Sequence, residues 1–334
     1  MFYTSLERMA KLYDKFGQKY AFNATSIEEY NEWKTAARQA LTECIGLEWC
    51  EMPEGFNPKL VESVDFNGHV RETWTIETEP EIVMPFYFYK SNKSEEAMPT
   101  VVVPHGHGGG KEWALPPAYI TNMLDNGYNL VCPDQRGCGE RREFPEQKEG
   151  MERANSHREL NQMAMGFGMT TLGLSIWDLM RLVDYLETLP VVDKNRICCI
   201  GMSGGGQQTL WLAALDERIA AACTSGYFYG MKEALVKLPQ NCSCNFVPNI
   251  WKTADMGDIG ALIAPRPFIV ESGEKDPLAG AGGLENVYPQ VEKTKKAYAL
   301  LGAEENFKHV IHDGGHEWRG AEIPEFFRNR LERE

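Results

Sequence analysis

The segment Gly201–Gly205 reads GMSGG and places Ser203 at the centre of the pattern G-x-S-x-G. The apolar run RICCI precedes this segment and the helical pattern GGQQTLWLAALD overlaps its end, so we expect a strand, a sharp turn and a helix. A serine on such a turn is held with its hydroxyl exposed, as a nucleophile requires. The turn is too tight for side chains at its flanking positions, which accounts for Gly201 and Gly205. The sequence therefore predicts a nucleophilic serine, with an ordinary serine in a glycine-rich turn as the alternative.

Ser203 can attack a carbonyl only if a base accepts its proton and an acid orients that base. In chains with a nucleophile elbow, these groups follow in the order serine, acid, histidine. Of the three histidines after Ser203, His309 and His312 belong to the predicted strand FKHVIHD. His316 follows the loop DGG, which can carry an imidazole over the edge of a sheet, and we predict His316 as the general base. A zinc pair of His312 and His316 is disfavoured, because the two glycines argue against the helix that would align them.

The acid should follow the strand that precedes His316, and the segment RPFIVESGEKDPL offers three carboxylates. Glu271 falls inside the predicted strand, and Glu274 falls at the tip of the turn. Asp276 precedes Pro277, where the chain can bend back toward the histidine. We therefore predict Asp276 as the acid, while Glu274 and Glu271 stay open as alternatives.

Acyl transfer also needs hydrogen-bond donors where negative charge develops on the substrate. The backbone amide of Gly204, directly after the nucleophile, is one predicted donor. The second is expected from the loop HGHGGGK that follows the apolar run TVVVP, with the amide of His107 preferred over that of Gly108. The loop has neither a P-loop pattern nor a complete dinucleotide fingerprint, and a metal pair of His105 and His107 lacks an evident third ligand. We therefore predict no cofactor and no metal.

The elements that position these residues alternate between strand and helix patterns from residue 100 onward, which is typical of a doubly wound, mostly parallel sheet. Before residue 100, the strands that flank Asn67-Gly68 predict a hairpin, and IVMPFYFYK predicts a third strand, so an antiparallel entry is expected. The sequence thus predicts an α/β chain that consists of a helical N-terminal extension at 1–55 and a domain at 56–334, with insertions near 139–168 and 226–258.

The segments HGHGGG, DQRGCG, GMSGGG and HDGGHEW resemble the α/β-hydrolase superfamily over residues 60–334. Within it, they look most like acetyl-xylan-esterase-like and dienelactone-hydrolase-like enzymes. The resemblance implies the α/β-hydrolase fold and a cofactor-free serine carboxylesterase whose catalytic triad is Ser203, Asp276 and His316. It also implies that Arg136 braces the loop beside the oxyanion site. One departure is that dienelactone hydrolases proper use a cysteine nucleophile, whereas this chain has a serine.

The expected reaction is hydrolysis of short-acyl esters, with acetyl the preferred acyl group, and the expected partner is a small-molecule ester such as an acetylated oligosaccharide. Three aromatic residues of the second insertion, Tyr227, Phe228 and Trp251, could stack on sugar rings, with a hydrophobic lid core as the alternative. A peptidase of the prolyl-oligopeptidase kind is an alternative function, but residues 1–55 are too few for a propeller domain. A non-catalytic binding protein on the same fold is disfavoured by the complete set of serine, acid and histidine.

Composition excludes several other classes of protein. Lys and Arg number 34 against 48 Asp and Glu, and the resulting formal net charge of −14 disfavours nucleic acid and anionic membrane surfaces as partners. The sequence has no apolar run of about 18 residues that could span a membrane, and its N-terminus lacks the pattern of a secretory signal. Nine cysteines are an odd number, which favours reduced thiols over a disulfide framework. We therefore expect a cytoplasmic protein, and self-association into a homo-oligomer stays open.

Overall fold

A single sheet lies at the centre of the fold, and nine strands form it within the described residues. The structure of the protein is a computed structural model that describes residues 3–144, 154–238 and 241–331. The strands in chain order are β1 Lys59–Phe66, β2 His69–Glu79, β3 Ile82–Lys90, β4 Met98–Val102, β5 Asn129–Pro133, β6 Val192–Met202, β7 Ile219–Ser225, β8 Phe268–Gly273 and β9 Phe307–His312.

Helices cover both faces of this sheet. None of them, in the part of the chain that the structure describes, has the length and apolar character that a membrane span requires. In chain order the helices are α1 Leu6–Phe16, α2 Ile27–Ile45, α3 Pro117–Asp125, α4 His157–Met165, α5 Thr171–Leu186, α6 Gly204–Leu215, α7 Ile250–Thr253, α8 Met256–Ala261, α9 Leu284–Leu300 and α10 Ile323–Leu331.

The sheet has an antiparallel edge and a parallel body. Its strand order is β1-β2-β3-β5-β4-β6-β7-β8-β9, and the pairs from β1 to β3 and between β3 and β5 are antiparallel. All pairs from β5 through β4 to β9 are parallel. The turn between β1 and β2 has positive φ at both Asn67 (54°) and Gly68 (81°), as a two-residue hairpin turn needs. The predicted α/β-hydrolase architecture with an antiparallel entry is therefore confirmed.

Two hydrophobic cores lie on opposite faces of the sheet because successive strand side chains point to opposite sides. Val102 and Cys199 face the larger core, which α2, α5, α6, α8 and α9 cover. Val101 and Cys198 face the smaller core beneath α3 and α10. The adjacent thiols of Cys198 and Cys199 thus belong to different cores, and both act as small apolar side chains.

Helix α2 of the N-terminal extension is capped at both ends, by Ser26 before its first turn and by Gly46 after its last. The Ser26 side chain accepts a hydrogen bond from the backbone N–H of Glu29 at 3.2 Å, which satisfies one of the free donors of the first turn. Gly46 ends the helix in the left-handed conformation, with φ of 74°. Tyr30, Leu41 and other buried residues on one side of α2 join the larger core.

We expect Ser26→Ala to lower the free energy of unfolding by about 1 kcal/mol, because the N–H of Glu29 loses its partner at the helix start. Urea denaturation followed by circular dichroism measures this change. Ser26→Asp is the matched control, since its carboxylate can cap the same helix. A Ser26→Ala protein as stable as the wild type, or a Ser26→Asp protein that loses stability to the same extent, would contradict the capping role.

The two predicted insertions contain more helix than their sequences suggest. Helix α4 lies in the first insertion, 139–168, of which residues 145–153 fall outside the described residues. The second insertion, 226–258, holds a π-helical turn at Lys232–Val236, then α7 and the start of α8, and its residues 239–240 are likewise outside the description. Tyr13 of α1 donates from its hydroxyl to Asp255 at 2.9 Å, so the N-terminal extension packs on the second insertion. The boundary at residue 55 stays a prediction.

Candidate active site

Ser203 lies on a sharp turn between β6 and α6. Its φ of 57° and ψ of −120° are unusual for a residue with a side chain, and such strained conformations concentrate at functional sites. A Cβ at Gly201 would lie 2.5 Å from the carbonyl carbon of Gly205, and a Cβ at Gly205 would overlap the carbonyl oxygen of Pro104. The absence of side chains at these two positions is therefore what lets β6 turn into α6 at Ser203.

We expect Gly205→Ala to lower the free energy of unfolding by at least about 2 kcal/mol, because the new methyl group must displace the backbone at Pro104. Chemical denaturation of the purified variant measures the loss. Gly55→Ala is the control, since a Cβ there meets no atom within 4 Å. Equal stability of the two variants would contradict the steric account of the turn.

His316 and Asp276 form a hydrogen-bonded pair at the carboxyl edge of the sheet. His316 Nδ1 lies 2.7 Å from Asp276 Oδ2, and the other carboxylate oxygen accepts the backbone N–H of Leu278 at 2.9 Å. The Asp276 side chain is 7% exposed, whereas the His316 ring is 24% exposed. The buried carboxylate makes two hydrogen bonds, and the one that faces Nδ1 holds the imidazole proton on that nitrogen. Nε2 is then free to accept a proton from the serine hydroxyl.

A short backbone segment connects this pair to Ser203. The backbone N–H of Ser203 donates to the carbonyl oxygen of Ser225 at 2.9 Å. The next residue, Gly226, has φ of 60°, and a Cβ there would lie 3.0 Å from Cε1 of His316. Among the described residues, no hydrogen bond yet joins the Ser203 hydroxyl to His316. Catalytic hydrogen bonds are often long without substrate and tighten in the reactive complex.

The two alternative acids lie elsewhere. Glu271 accepts hydrogen bonds from the Ser225 hydroxyl at 2.7 Å and from the backbone N–H groups of Arg319 and Gly320 at 3.1 and 2.8 Å. It therefore ties β7 to the chain just after His316. Glu274 is an exposed turn residue. Neither of these carboxylates contacts the His316 imidazole, so Asp276 is the one of the three acids that is hydrogen-bonded to it.

The other two histidines of the C-terminal region lie in β9, as the strand prediction expected. His309 Nε2 lies 3.1 Å from the Ser272 hydroxyl, and burial lowers the His309 pKa to about 4. His312 Nδ1 accepts the backbone N–H of Gly314 at 3.2 Å. Both imidazoles therefore help shape the end of the sheet rather than meet the acid.

The glycine-rich loop after β4 passes directly over the nucleophile. A Cβ at Gly106 would lie 3.6 Å from the Cβ of Ser203, and the His107 ring covers the position where Gly204 would carry a side chain. The backbone N–H groups of His107 and Gly204 donate no hydrogen bond to any described residue. Two free amides thus lie beside Ser203, at the residues predicted to form an oxyanion hole.

His105 fixes the start of this loop. Its ring is fully buried, with Nδ1 2.7 Å from the carbonyl oxygen of Gly106 and Nε2 accepting the backbone N–H of Gln135 at 3.2 Å. Burial lowers the pKa of His105 to about 4. The ring is consequently neutral near neutral pH and joins the loop to the segment after β5.

A buried ion pair fixes the end of the loop. Lys111 Nζ lies 3.0 Å from Asp134, which also accepts the backbone N–H groups of Lys111 and Glu140 at 2.6 and 3.0 Å. A Cβ at Gly110 would lie 2.7 Å from the same carboxylate. Because the carboxylate occupies this space, only glycine fits where the loop meets Asp134.

Arg136 has the bracing position implied by the resemblance. Its guanidinium donates two hydrogen bonds to Asp178 of α5, at 2.6 and 3.0 Å, and one to Glu79 of β2 at 2.6 Å. Burial by itself would raise the pKa of Asp178, but the charges of Arg136 and Arg141 hold that pKa below its usual range. This network fastens the segment after β5 to the sheet and to a helix.

The aromatic residues predicted to bind sugar occupy different environments. Phe228 is 1% exposed and packs on Phe268 in the larger core, so its assignment as a substrate contact is corrected to a core role. Tyr227 is also buried, and its hydroxyl donates to Asn245 at 2.6 Å. Trp251 lines a groove of about 390 Å³ together with Tyr13 and other residues of α1. The alternative of a hydrophobic lid core therefore describes Tyr227 and Phe228 better, and substrate contact by Trp251 stays a prediction.

Sequence reasoning missed the residues that surround the His107 side chain. The Sγ of Cys244 lies 3.0 Å from Nε2 of His107. The centroids of the His107 and His157 rings are 5.5 Å apart. The sequence signals near this cluster were the pair His105 and His107 and the spacing C-x-C at Cys242 and Cys244. Nothing in the sequence linked them to each other or to His157. All nine cysteines are described and carry free thiols.

A family model and a curated relative both match most of the chain. The model of the Abhydrolase family matches residues 3–316 of the chain. A relative from Bacillus subtilis (strain 168), named "Putative hydrolase YtaP", is 28% identical over 267 residues, which cover 76% of this chain and 80% of the relative.

Solved structures share the fold at lower identity. A "putative acetyl xylan esterase" from Bacteroides fragilis superimposes with a TM-score of 0.78 at 21% identity, over 94% of this chain and 83% of that one. A glucuronoyl esterase from Solibacter usitatus superimposes with a TM-score of 0.68 at 15% identity, over 94% of this chain and 96% of that one. At these identities the likeness shows a common fold.

Proposed function

Because the chain belongs to the Abhydrolase family of α/β hydrolases, we propose that it is a serine carboxylesterase that hydrolyses short-acyl esters, preferably acetyl esters. The observation that carries the proposal is the 2.7 Å hydrogen bond between His316 and Asp276, beside a serine held on a strained turn. The three side chains come from distant parts of the chain, and serine hydrolases on unrelated folds share this combination of types and roles.

In the proposed reaction, the Ser203 hydroxyl attacks the ester carbonyl while His316 Nε2 accepts its proton. Asp276 stays ionised, holds the imidazole in the required tautomer and stabilises the imidazolium that forms. The tetrahedral intermediate then collapses as His316 returns the proton to the leaving alcohol. A water, activated by the same imidazole, hydrolyses the acyl-enzyme and regenerates the free serine.

The backbone N–H groups of Gly204 and His107 are assigned to stabilise the negative charge that develops on the substrate oxygen of the tetrahedral intermediate. Gly204 is the first residue of α6, whose N-terminal N–H groups have no partner within the helix. The helix macrodipole adds a partial positive charge at the same end. Both donors are backbone groups of packed segments, so their positions cost little reorganisation when charge develops.

The carbohydrate part of the proposal is supported by the names of two solved structures, an acetyl xylan esterase and a glucuronoyl esterase. Both names refer to esterases that act on sugar derivatives. Nine free thiols support a reducing, cytoplasmic location, where acetylated oligosaccharides are more accessible than polymers. We therefore propose a small acetylated sugar as the substrate class.

The test is a substrate panel on the purified protein. We expect kcat/KM for p-nitrophenyl esters to be highest for acetate and to fall as the acyl chain lengthens, and acetylated xylo-oligosaccharides to release acetate. A methyl glucuronate ester and a proline-linked p-nitroanilide complete the panel. If the glucuronate ester were cleaved best, glucuronate esters would replace acetyl esters as the proposed substrate class. If the anilide were cleaved best, the peptidase alternative would be favoured. No cleavage of any substrate in the panel would overturn the proposal.

A further inference from the structure

Four side chains that bind soft metals converge beside the nucleophile turn. They are His107 of the loop after β4, His157 at the start of α4, and Cys242 and Cys244 of the second insertion. Their ligand atoms all lie within 4.8 Å of one another. His107 Nε2 is 3.0 Å from Cys244 Sγ, and His157 Nδ1 is 3.2 Å from Cys242 Sγ.

We propose that these four residues bind one zinc ion in a closed Cys₂His₂ site. A tetrahedral zinc with bonds of about 2.0 to 2.3 Å requires ligand atoms about 3.3 to 3.8 Å apart. The four atoms already approach this arrangement, so small side-chain rotations suffice to reach it. A set of two thiolates and two neutral imidazoles binds zinc in preference to harder cations.

The second nitrogen of His157 supports this role. Its Nε2 lies 3.1 Å from the backbone carbonyl oxygen of Arg136, to which it can donate a hydrogen bond. That bond places the proton on Nε2 and leaves a lone pair on Nδ1, which faces Cys242. Histidines that bind metal generally donate their other N–H to a carbonyl or carboxylate in this way.

Side-chain amides hold the turn that carries the two thiols. Asn245 donates to the carbonyl oxygen of Cys242 at 3.1 Å, and Asn161 of α4 donates to that of Ser243 at 3.1 Å. Gln207 of α6 donates to the carbonyl oxygen of Cys244 at 3.3 Å. The thiols therefore project from a turn that is held by its own Asn245 and by side chains of α4 and α6, and metal binding requires little further ordering.

The charge balance favours a divalent ion. Zinc binds cysteine as the thiolate, so the thiol protons of Cys242 and Cys244 are released to solvent when the metal binds. The product of Zn²⁺ and two thiolates has no net charge, which suits a largely buried position.

The site would connect three segments, namely the loop after β4, the start of α4 and the turn that carries the two cysteines. With four protein ligands, the zinc has no open position for water or substrate, so its role is structural. The His107 ring also covers Gly204, and zinc would fix the loop whose His107 amide is assigned to the oxyanion hole. Metal binding itself does not depend on the proposed esterase activity.

The test measures zinc binding by the full-length, reduced and chelator-stripped protein. We expect one Zn²⁺ per chain in competition with a chromophoric chelator, and Co²⁺ should give a thiolate charge-transfer band with visible bands of a tetrahedral site. Cys242→Ser and His157→Gln should each weaken Zn²⁺ affinity by at least about 100-fold, since loss of a ligand should cost at least as much as loss of a second-shell partner.

Matched variants separate this proposal from the enzymatic one. Cys50→Ser and His309→Gln change residues outside the cluster and should bind Zn²⁺ like the wild type. Ser203→Ala should also bind Zn²⁺ with unchanged affinity, although it removes the proposed nucleophile. An inactive wild-type protein that binds one zinc would therefore overturn the esterase proposal alone.

A measurement on the wild type covers the case in which a variant fails to fold. Zn²⁺ should protect Cys242 and Cys244 from iodoacetamide, as read by peptide mass spectrometry, and should leave the labelling of Cys50 unchanged. Equal alkylation with and without Zn²⁺ would overturn the proposal. So would wild-type affinity no higher than that of Cys242→Ser, or a Co²⁺ spectrum without a thiolate band.

Discussion

Ser203→Ala should lower kcat for p-nitrophenyl acetate by about a millionfold, as loss of the nucleophile does in other serine hydrolases. The alanine side chain has no atom that can form the acyl-enzyme, and what remains is the catalysis that binding and the oxyanion amides supply. The loss corresponds to about 8 kcal/mol of transition-state stabilisation. Steady-state kinetics with enough enzyme to detect the residual rate measures it.

Two controls connect this loss to chemistry at one side chain. Ser26→Ala removes a serine at a distant helix cap and should leave kcat unchanged although it lowers stability. A fluorophosphonate should label the wild type once, on the peptide that contains Ser203, and should not label Ser203→Ala. If Ser203→Ala retained more than about a thousandth of wild-type kcat, a role as nucleophile would be excluded, given the loss expected.

Asp276→Asn should lower kcat by roughly 10⁴-fold with little change in KM, because the amide stabilises the wrong tautomer of His316. An asparagine side-chain N–H that points at Nδ1 moves the ring proton to Nε2, which then cannot accept a proton from Ser203. The packing around this 2.7 Å contact should be preserved, since the two side chains have the same shape. Kinetics together with a thermal melt of the variant separates lost catalysis from lost folding.

The other two acids provide the comparison for this prediction. Glu274→Gln changes an exposed side chain and should leave kcat within a few-fold of the wild type. Glu271→Gln removes a charge that accepts hydrogen bonds from Ser225, Arg319 and Gly320, so its main effect should be on stability. The acid assignment fails if Asp276→Asn is nearly as active as the wild type, or if Glu274→Gln has the larger effect on kcat.

The proposed oxyanion hole and the proposed zinc site both involve His107, but through different atoms. The backbone N–H of His107 is free beside Ser203, while its ring nitrogen lies 3.0 Å from Cys244. A metal on the ring would therefore act on catalysis by positioning the loop. We therefore expect removal of zinc to lower kcat, while the fluorophosphonate should still label Ser203 once per chain.

Local patterns in the sequence were sufficient to predict most of the fold. Alternating strand and helix patterns gave the correct order of elements, because β4, β5, β7 and β8 are short apolar runs that are almost entirely buried. Asn67-Gly68 was informative because the hairpin turn requires positive φ at both residues. The helices within residues 139–168 and 226–258 were not predicted, because their polar and aromatic residues pack on α1 and α5 rather than follow a clear period.

The residues of the proposed triad could also be chosen from the sequence, because the elbow pattern determines the chain order of the groups around it. Among the three acids, which all lie within six residues, the sequence favoured Asp276 but left Glu274 and Glu271 open. The structure distinguishes them by direction. Asp276 turns toward His316, whereas Glu271 points to β7 and the chain after His316. Phe228 failed as a substrate contact because an aromatic residue has the same sequence signature in a core and in a binding site.

The sequence by itself determined the strand–turn–helix around Ser203 and the sheet that carries it, because these depend on backbone geometry and on apolar periodicity over a few neighbouring residues. Only the tertiary structure decided which distant side chains meet there. His107 lies in the loop after β4, His157 begins α4 and Cys242 lies in the second insertion. Each is held by partners of its own, such as Asn155, which donates to the His107 carbonyl oxygen at 3.1 Å. Contacts of this kind depend on how distant loops fold back over the edge of the sheet, and the local spacing of residues does not determine this.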